Sequence, residues 1–209
     1  MTNEAGRQLT NEAEELVLKQ LKKSFKIVKI QGAQWKETND KCNPLIQSLL
    51  NLAEQHSCCQ KACQAGSNPV VQRFPDLPGK LNSSLLHSME LVMMQLRENM
   101  HSLQEAQKKV SRQYNNSMEV YNRHQTILGL DRVLRRSPTC PAISDMLEWL
   151  ADLAKIFAQQ LALRNIHLDK IRYEDEDAIK SLLAQFKDET ITNYLQGNIL
   201  KMGFFLEGE

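Results

Sequence analysis

The sequence predicts an all-α protein, in which a long helical hairpin or coiled-coil-like bundle is followed by a smaller C-terminal helical segment. Only eight Gly and six Pro occur among the 209 residues, well below the ~12% combined share of average proteins. The prolines cluster at three places, namely Pro44, Pro69 to Pro78, and Pro138 to Pro141. Between these places apolar residues recur at three- and four-residue spacing, the period of an α-helix, and no stretch alternates like a surface strand.

The first long helix is predicted to follow a flexible segment, residues 1–9, and to open at Asn11. Asn11 and Glu14 form an Asn-x-x-Glu variant of the capping box. The apolar stripe that follows comprises Val17, Leu21, Phe25, Val28, Trp35, Cys42, Ile46, Leu49 and Ala53. Gly32 and Asn39 are its weak points. Pro44 either starts a second helix with Asn43 as its cap, or kinks a continuous one.

Residues 10–129 are therefore expected to form long antiparallel helices with a loop near residues 65–79. The second long helical pattern runs from Lys80 to about Leu128, and Gly129 is a natural stop. A helix of about 49 residues would be ~70 Å long, which is typical of a coiled coil or an extended hairpin. The adjacent poor helix formers Asn115 and Asn116 mark a possible break.

A linker is expected over residues 130–141 and a helical region over residues 142–209. Ser144 or Asp145 is a fair cap for the first helix of that region. The acidic run from Glu174 to Asp177 should begin the next helix, where the helix dipole favours negative charge. Asp188 is expected to cap the last one.

Catalytic signatures are missing from this sequence. It contains no phosphate-binding loop, no dinucleotide-binding turn and no nucleophile elbow. We therefore expect no enzymatic activity, no catalytic residue and no cofactor. The N-terminus lacks the apolar core of a signal peptide, and no apolar run is long enough to cross a membrane. The odd number of five cysteines then favours reduced thiols in the cytosol or nucleus.

Two residue groups invite a sharper interpretation. His56, Cys58, Cys59 and Cys63 offer zinc ligands, but a second cysteine pair is absent, and ordinary thiols are the better reading. A stripe of five lysines could attract nucleic acid or an acidic protein, although such a stripe is more often a solvated helix face. The stripe consists of Lys19, Lys22, Lys23, Lys26 and Lys29.

A partner-binding role is expected because the apolar seams look longer than one chain can cover. Trp149 lies off the main stripe of its helix, and Trp is enriched at interface hot spots. Phe204 and Phe205 place large apolar side chains near the end of the chain, which suggests docking. The candidate partner-binding residues are Leu21, Phe25, Val28, Trp35, Leu49, Leu96, Leu103, Met146, Trp149, Phe204 and Phe205.

Four segments, in the same order along nearly the whole chain, resemble a known family of animal proteins. They are Asn43–Gln55 (NPLIQSLLNLAEQ), Phe74–Leu77 (FPDL), Asp145–Leu150 (DMLEWL) and Phe204–Glu207 (FFLE). Together they resemble AIRIM, the AAA-ATPase-interacting ribosome maturation factor family. This chain departs from the family in its extra N-terminal residues and in its Cys58-Cys59-x-x-x-Cys63 cluster.

The resemblance implies a non-catalytic adaptor subunit of the cytoplasm and nucleus. Members of this family pair with CINP, a helical protein, and join two AAA ATPases of the AFG-two (SPATA-five) type. The resemblance further implies cytoplasmic maturation of pre-ribosomal large subunits by release of a shuttling factor, and turnover of replisome proteins on chromatin. From the residues alone, a helical nucleic-acid-binding protein, with Arg132, Arg135 and Arg136 assisting the lysine stripe, or a generic coiled-coil scaffold remains the alternative.

Overall fold

A computed structural model describes residues 2–64 and 69–207, which form helices and no strand. The all-α prediction is confirmed. The helices of the described residues are α1 (Thr2–Gln64), α2 (Pro69–Arg73), α3 (Leu77–Leu134), α4 (Ile143–Asp169), α5 (Glu176–Phe186), α6 (Thr190–Lys201) and α7 (Gly203–Glu207). The long helices α1 and α3 pack together and are followed by shorter ones, as the sequence predicts.

The chain divides into two compact units, each assembled from separate pieces of sequence. The first unit combines the described residues up to Lys36 with Gln104–Gln160 and those from Glu189 onward. The second unit combines Glu37–Leu103 with Leu161–Asp188. Helices α1, α3 and α4 therefore contribute to both units.

In the first unit, α1 and α3 run antiparallel around an aromatic core. Glu14 pairs with Arg132, and the Ser24 hydroxyl lies 2.9 Å from that of Ser117, so rising numbers in α1 meet falling numbers in α3. Trp35 meets the ring of Phe157 edge-on, with ring centroids 4.9 Å apart and planes at 71°. Other buried residues of this core are Leu21, Phe25, Val28, Val110, Met146, Leu150, Leu153, Ile191 and Leu195.

At Gly32, one of the expected weak points of the α1 stripe, α6 approaches α1 closely. A Cβ atom built on Gly32 would lie only 2.2 Å from Cδ1 of Leu195. The missing side chain therefore leaves the space that Leu195 fills.

The second unit has a core of aliphatic and sulfur-containing residues around a buried arginine. His56 Nε2 lies 2.6 Å from Asn82 Oδ1, which joins α1 to the start of α3. Arg164 is fully buried and its guanidinium carbon lies 5.1 Å from the ring centroid of Phe186. Other buried residues of this core are Cys42, Ile46, Leu49, Ala53, Met89, Met93, Leu96, Met100, Leu103, Leu168, Ile179 and Leu182.

The N-terminal boundary differs from the expected one because α1 already begins at Thr2. The capping box at Asn11 does not form. Asn11 instead accepts a hydrogen bond from Arg132, and the Glu14 carboxylate also pairs with Arg132, so both capping side chains are committed to α3. Residues 2–9, predicted to be flexible, are part of the helix.

Pro44 lies inside a continuous α1 instead of starting a new helix. Proline removes one backbone hydrogen bond and crowds the preceding turn. Cys42 and Ile46, on either side of it, are both fully buried. Their packing holds α1 continuous across Pro44.

The other boundaries shift by a few residues. The expected loop over residues 65–79 contains α2 and the first turn of α3, while residues 65–68 lie outside the described part of the chain. The helical path is interrupted at Gly129 (φ 67°, ψ 164°), the predicted stop, but becomes helical again as far as Leu134. The linker between α3 and α4 is therefore shorter than the predicted linker over residues 130–141. No break occurs at Asn115 or Asn116.

The acidic run from Glu174 to Asp177 begins α5 as predicted, whereas the caps predicted for α4 and α6 do not form. Asp175, within the predicted acidic run, is the N-cap of α5 and accepts a hydrogen bond from the Ala178 N–H at 2.9 Å. Helix α4 begins at Ile143, so Asp145 lies inside its first turn, where it binds Arg136. The residue at the N-cap of α6 is Glu189, not Asp188.

Candidate partner-binding surface

Eight of the eleven candidate partner-binding residues lie in the cores of the two units. They are Leu21, Phe25, Val28, Trp35, Leu49, Leu96, Leu103 and Met146, each at most 2% exposed. Because the chain's own side chains cover them, they are not available on the surface. A helical seam has the same spacing whether its partner is another segment of the chain or a second protein, so spacing cannot distinguish the two.

The other three candidates, Trp149, Phe204 and Phe205, lie at the surface of the first unit. Phe204 is 75% exposed, while Trp149 and Phe205 are half-buried. The two phenylalanines line a cavity of about 1060 Å³, which we call the C-terminal groove. The groove is lined by Asn11, Glu14, Glu15, Leu18, Lys19, Lys22, Thr139, Cys140, Phe204, Phe205 and Glu207.

Trp149 lines a second cavity of about 500 Å³, which we call the Trp149 cleft. The cleft is lined by Arg136, Ser137, Pro138, Cys140, Pro141, Asp145, Glu148, Trp149 and Lys201. Cys140 lines both cavities, so they are neighbours. The Lys201 ammonium lies 5.3 Å from the Trp149 ring centroid, within reach of a cation–π interaction. The structure therefore brings together the three candidates that the core does not absorb.

The C-terminal helices are held in place by one face of α6. Ile191, Leu195 and Met202 are buried, and the Tyr194 hydroxyl donates a hydrogen bond to Asp152 Oδ2 of α4 at 2.6 Å. Partial burial and the Asp152 carboxylate raise the pKa of Tyr194 to about 12. The anchored face leaves the opposite face of α6 and α7 pointing outward.

Sequence reasoning missed Leu200, which is 83% exposed on that outward face. The spacing of the apolar residues in α6 could have predicted its exposure. Ile191, Leu195 and Met202 follow one another at four and seven residues and mark the inward face. Leu200 follows Ile191 by nine residues and therefore lies on the opposite face of α6, which the same pattern predicts to be solvent-facing.

Charges of both signs surround the groove. Lys19, Lys23, Lys26 and Lys29 of the lysine stripe are exposed and Lys22 is half-buried. The Glu14 carboxylate, on the same helix, pairs with Arg132. Burial, with a smaller contribution from Glu14, raises the pKa of the Cys140 thiol. The groove thus combines an apolar floor with a mixed, polar rim, as protein–protein interfaces do.

The candidate zinc ligands are not assembled into a site within the part of the chain that the structure describes. His56 is buried and its ring contacts Asn82. Across residues 2–64 and 69–207, no three His, Cys, Asp or Glu side chains come together in a way that could hold a metal ion. Among the same residues no helix is both long and apolar enough to cross a membrane.

Comparison with known proteins places these features in a family. Residues 15–204 match the family model CA109-like, described as ribosome biogenesis protein C1orf109-like. Proteins named AFG2-interacting ribosome maturation factor are similar to most of the chain. The one from Homo sapiens is 32% identical over 191 residues, which cover 90% of this chain and 93% of the human protein.

Two further relatives carry the same name. The protein from Xenopus tropicalis is 30% identical over 193 residues, covering 90% of this chain and 94% of its own. The protein from Mus musculus is 29% identical over 195 residues, covering 92% of this chain and 89% of its own. The family match over residues 15–204 includes most of α1, all of α3, Trp149 and Phe204. This chain therefore belongs to the CA109-like family of ribosome biogenesis proteins.

Proposed function

We propose that this chain is a non-catalytic adaptor subunit that binds an AAA ATPase of the AFG2 type and supports maturation of the large ribosomal subunit. The observation that carries the proposal is the cluster of exposed apolar side chains on the first unit. Leu200 and Phe204 are 83% and 75% exposed, Phe204 lines the C-terminal groove, and Trp149 lines the neighbouring Trp149 cleft. Exposed apolar clusters of this kind mark interaction sites.

The relatives' names supply the identity of the partner. Proteins named AFG2-interacting ribosome maturation factor are similar to about nine-tenths of this chain. The proposal extends that interaction to this chain and assigns the energy-consuming step to the ATPase. In its finer form, the chain pairs with a CINP-like helical protein, joins two such ATPases, and assists release of a shuttling factor from pre-ribosomal particles. It acts in the cytoplasm and nucleus, and also in replisome protein turnover.

The test measures binding of purified AFG2-type ATPase to the full chain and to two matched variants. The double substitution Trp149→Ala with Phe204→Ala removes the aromatic anchors of the proposed surface. The double substitution Val70→Ala with Phe74→Ala removes exposed apolar side chains of the second unit, which are 52% and 55% exposed. Thermal melting of each variant checks that the fold is retained.

We expect the first double variant to weaken binding by at least about 30-fold, equivalent to a loss of about 2 kcal/mol at a hot spot. The second should bind like the unmodified chain. Failure of the unmodified chain to bind the ATPase would contradict the proposed function. Full binding by the Trp149/Phe204 variant would leave the function standing and exclude this surface.

A second candidate function, nucleic-acid binding, is favoured by the exposure of the lysine stripe. Lys19, Lys23, Lys26 and Lys29 project from one helix and are open to solvent. Binding of RNA by the isolated chain should then weaken steeply with salt, because each phosphate contact releases counterions. No retention of RNA at low salt would dismiss this candidate.

A further inference from the structure

The loop between α3 and α4 carries a motif that the proposed function does not use. Ser137-Pro138 is the only Ser-Pro or Thr-Pro dipeptide among the 209 residues. The other five prolines follow Asn43, Asn68, Phe74, Leu77 and Cys140. An enzyme that requires proline directly after a hydroxyl residue therefore finds a single target in this chain.

The loop presents this motif to solvent. Arg135, Arg136, Ser137, Pro138 and Thr139 are all exposed and lie outside the helices. Local bonds hold the turn together: the Ser137 N–H donates to the carbonyl oxygen of Cys140 at 2.9 Å, and the Ser137 hydroxyl accepts from the Cys140 N–H at 2.9 Å. Since these bonds join residues only three apart, the turn can open without disturbing the helical core.

The Trp149 cleft places cations next to this serine. Arg136 and Lys201 line the cleft together with Ser137. Arg136 binds Asp145 through two hydrogen bonds, from Nε to Oδ2 at 2.9 Å and from Nη2 to Oδ1 at 3.1 Å. The other titratable groups lining the cleft are Cys140 and Glu148. The two cations are thus balanced by two carboxylates when the serine carries no charge.

We propose that Ser137 is a phosphorylation site for a proline-directed protein kinase, and that Arg136 and Lys201 bind the resulting phosphate in the Trp149 cleft. In the transfer, Ser137 Oγ forms a bond to the γ-phosphorus of ATP as the bond to the ADP oxygen breaks. The hydroxyl proton passes to the catalytic carboxylate of the kinase. The phosphate site shares the Trp149 cleft with the proposed ATPase-binding surface, but phosphorylation of Ser137 is tested without the ATPase and does not depend on that function.

The charge of the product explains why the cleft would rearrange. A phosphoserine carries a charge of about −1.5 to −2 at pH 7 and offers three acceptor oxygens. It therefore competes with the singly charged Asp145 carboxylate for the planar guanidinium of Arg136. A shift of Lys201 toward the phosphate would also withdraw its ammonium from the Trp149 ring, which it faces at 5.3 Å.

The first part of the test asks whether the folded chain is modified at this residue. The full chain is incubated with a cyclin-dependent kinase and ATP, and the sites are mapped by mass spectrometry. We expect one phosphoryl group, on Ser137, with none on Ser137→Ala and greatly slowed transfer to Pro138→Ala, which retains the hydroxyl. Modification of a free peptide covering residues 132–142 without modification of the folded chain would overturn the proposal, as would transfer to another residue.

The second part asks whether the cleft binds the phosphate. Phosphorus NMR follows the second pKa of the phosphoserine, which is about 6 in an open chain. We expect a lower pKa in the phosphorylated full chain, and a return toward the open-chain pKa in Arg136→Gln and Lys201→Gln. Lys155→Gln, an exposed lysine of α4, is the matched control and should change nothing. An open-chain pKa in the phosphorylated chain that carries no substitution would overturn the assignment of the cleft as the phosphate site.

Discussion

The two units are built from the same long helices, yet they use their large side chains differently. The first unit has an aromatic core, in which Trp35 packs on Phe157. It exposes Leu200 and Phe204, and Phe204 and the half-buried Trp149 line two cavities. The second unit has an aliphatic, methionine-rich core and encloses a whole arginine, Arg164. Both units expose some apolar side chains, but the first unit places aromatic residues around its two cavities, whereas the second buries a charged side chain.

The comparison shows that burial by neighbouring residues, and not residue type, decides the role of a side chain. Trp35 and Trp149 belong to the same unit, but one is 2% exposed and the other borders an open cleft. Arg164 and Arg136 differ in the same way, since one is enclosed and the other is exposed. Pairs of this kind allow the comparison to be tested with matched substitutions.

The largest expected effect comes from the two tryptophans. Trp35→Ala should lower the free energy of unfolding by about 3–5 kcal/mol, because it empties a packed site in the core. Trp149→Ala should cost under about 1 kcal/mol of stability, as surface changes do, while weakening partner binding. Urea unfolding of both variants measures the difference. Equal losses would show that Trp149 belongs to the core and is not a surface anchor.

Substitution of Arg164 tests the buried charge of the second unit. Arg164→Ala should lower the free energy of unfolding by about 2–4 kcal/mol, because it creates a cavity beside Phe186 and leaves Asp188 without its cation. Arg164→Met fills much of the same volume and should lose less. Desolvation lowers the pKa of Arg164 to about 10, consistent with a charge held at a cost. A Met variant less stable than the Ala variant would contradict this interpretation.

Two glycines of the first unit give a smaller, matched contrast. Gly32→Ala places a methyl group against buried Leu195, and overpacking costs about 1–3 kcal/mol. Gly197→Ala meets no atom within 4 Å and should instead stabilise α6 by about 0.5–1 kcal/mol through helix propensity. Thermal melting of the two variants should therefore shift in opposite directions. A shift in the same direction would show that Leu195 can move away without cost.

The smallest effect concerns one tyrosine in each unit. Burial, together with Asp152 for Tyr194 and Glu90 for Tyr173, raises the pKa of both hydroxyls to about 12. Because the pKa of each tyrosine is raised above its value in the unfolded chain, its contribution to the free energy of unfolding is complete below about pH 10. This contribution is lost between about pH 10 and 12. Stability measured across this range should fall, and the fall should be shallower in Tyr194→Phe and Tyr173→Phe.

Each tyrosine substitution should also remove about 1 kcal/mol at neutral pH, the typical net contribution of one hydrogen bond. Both tyrosines are partly open to solvent, which keeps the effect small. An unchanged pH profile in both variants would show that other groups govern the alkaline transition.

The sequence by itself determined the helical class, the stripes and several ends of helices. Few Gly and Pro residues and the three- and four-residue spacing left no alternative to long helices. Gly129 interrupts α3 because only glycine readily adopts its positive φ, and Asp175 caps α5 because its side chain reaches a free N–H. These features depend on local geometry, which the sequence encodes directly.

Only the tertiary structure decided which seams were already covered. Leu21, Phe25 and Leu96 were predicted to face a partner, but packing within the chain buries them. Asn11 and Glu14 were predicted to cap a helix, but Arg132, more than a hundred residues away, binds both. The partner of a side chain is set by what the fold brings near it, and spacing along one helix carries no information about contacts at that distance. For the same reason, the sequence could not predict the groove beside Phe204 or the cleft that joins Trp149 to Ser137, and only the structure shows them.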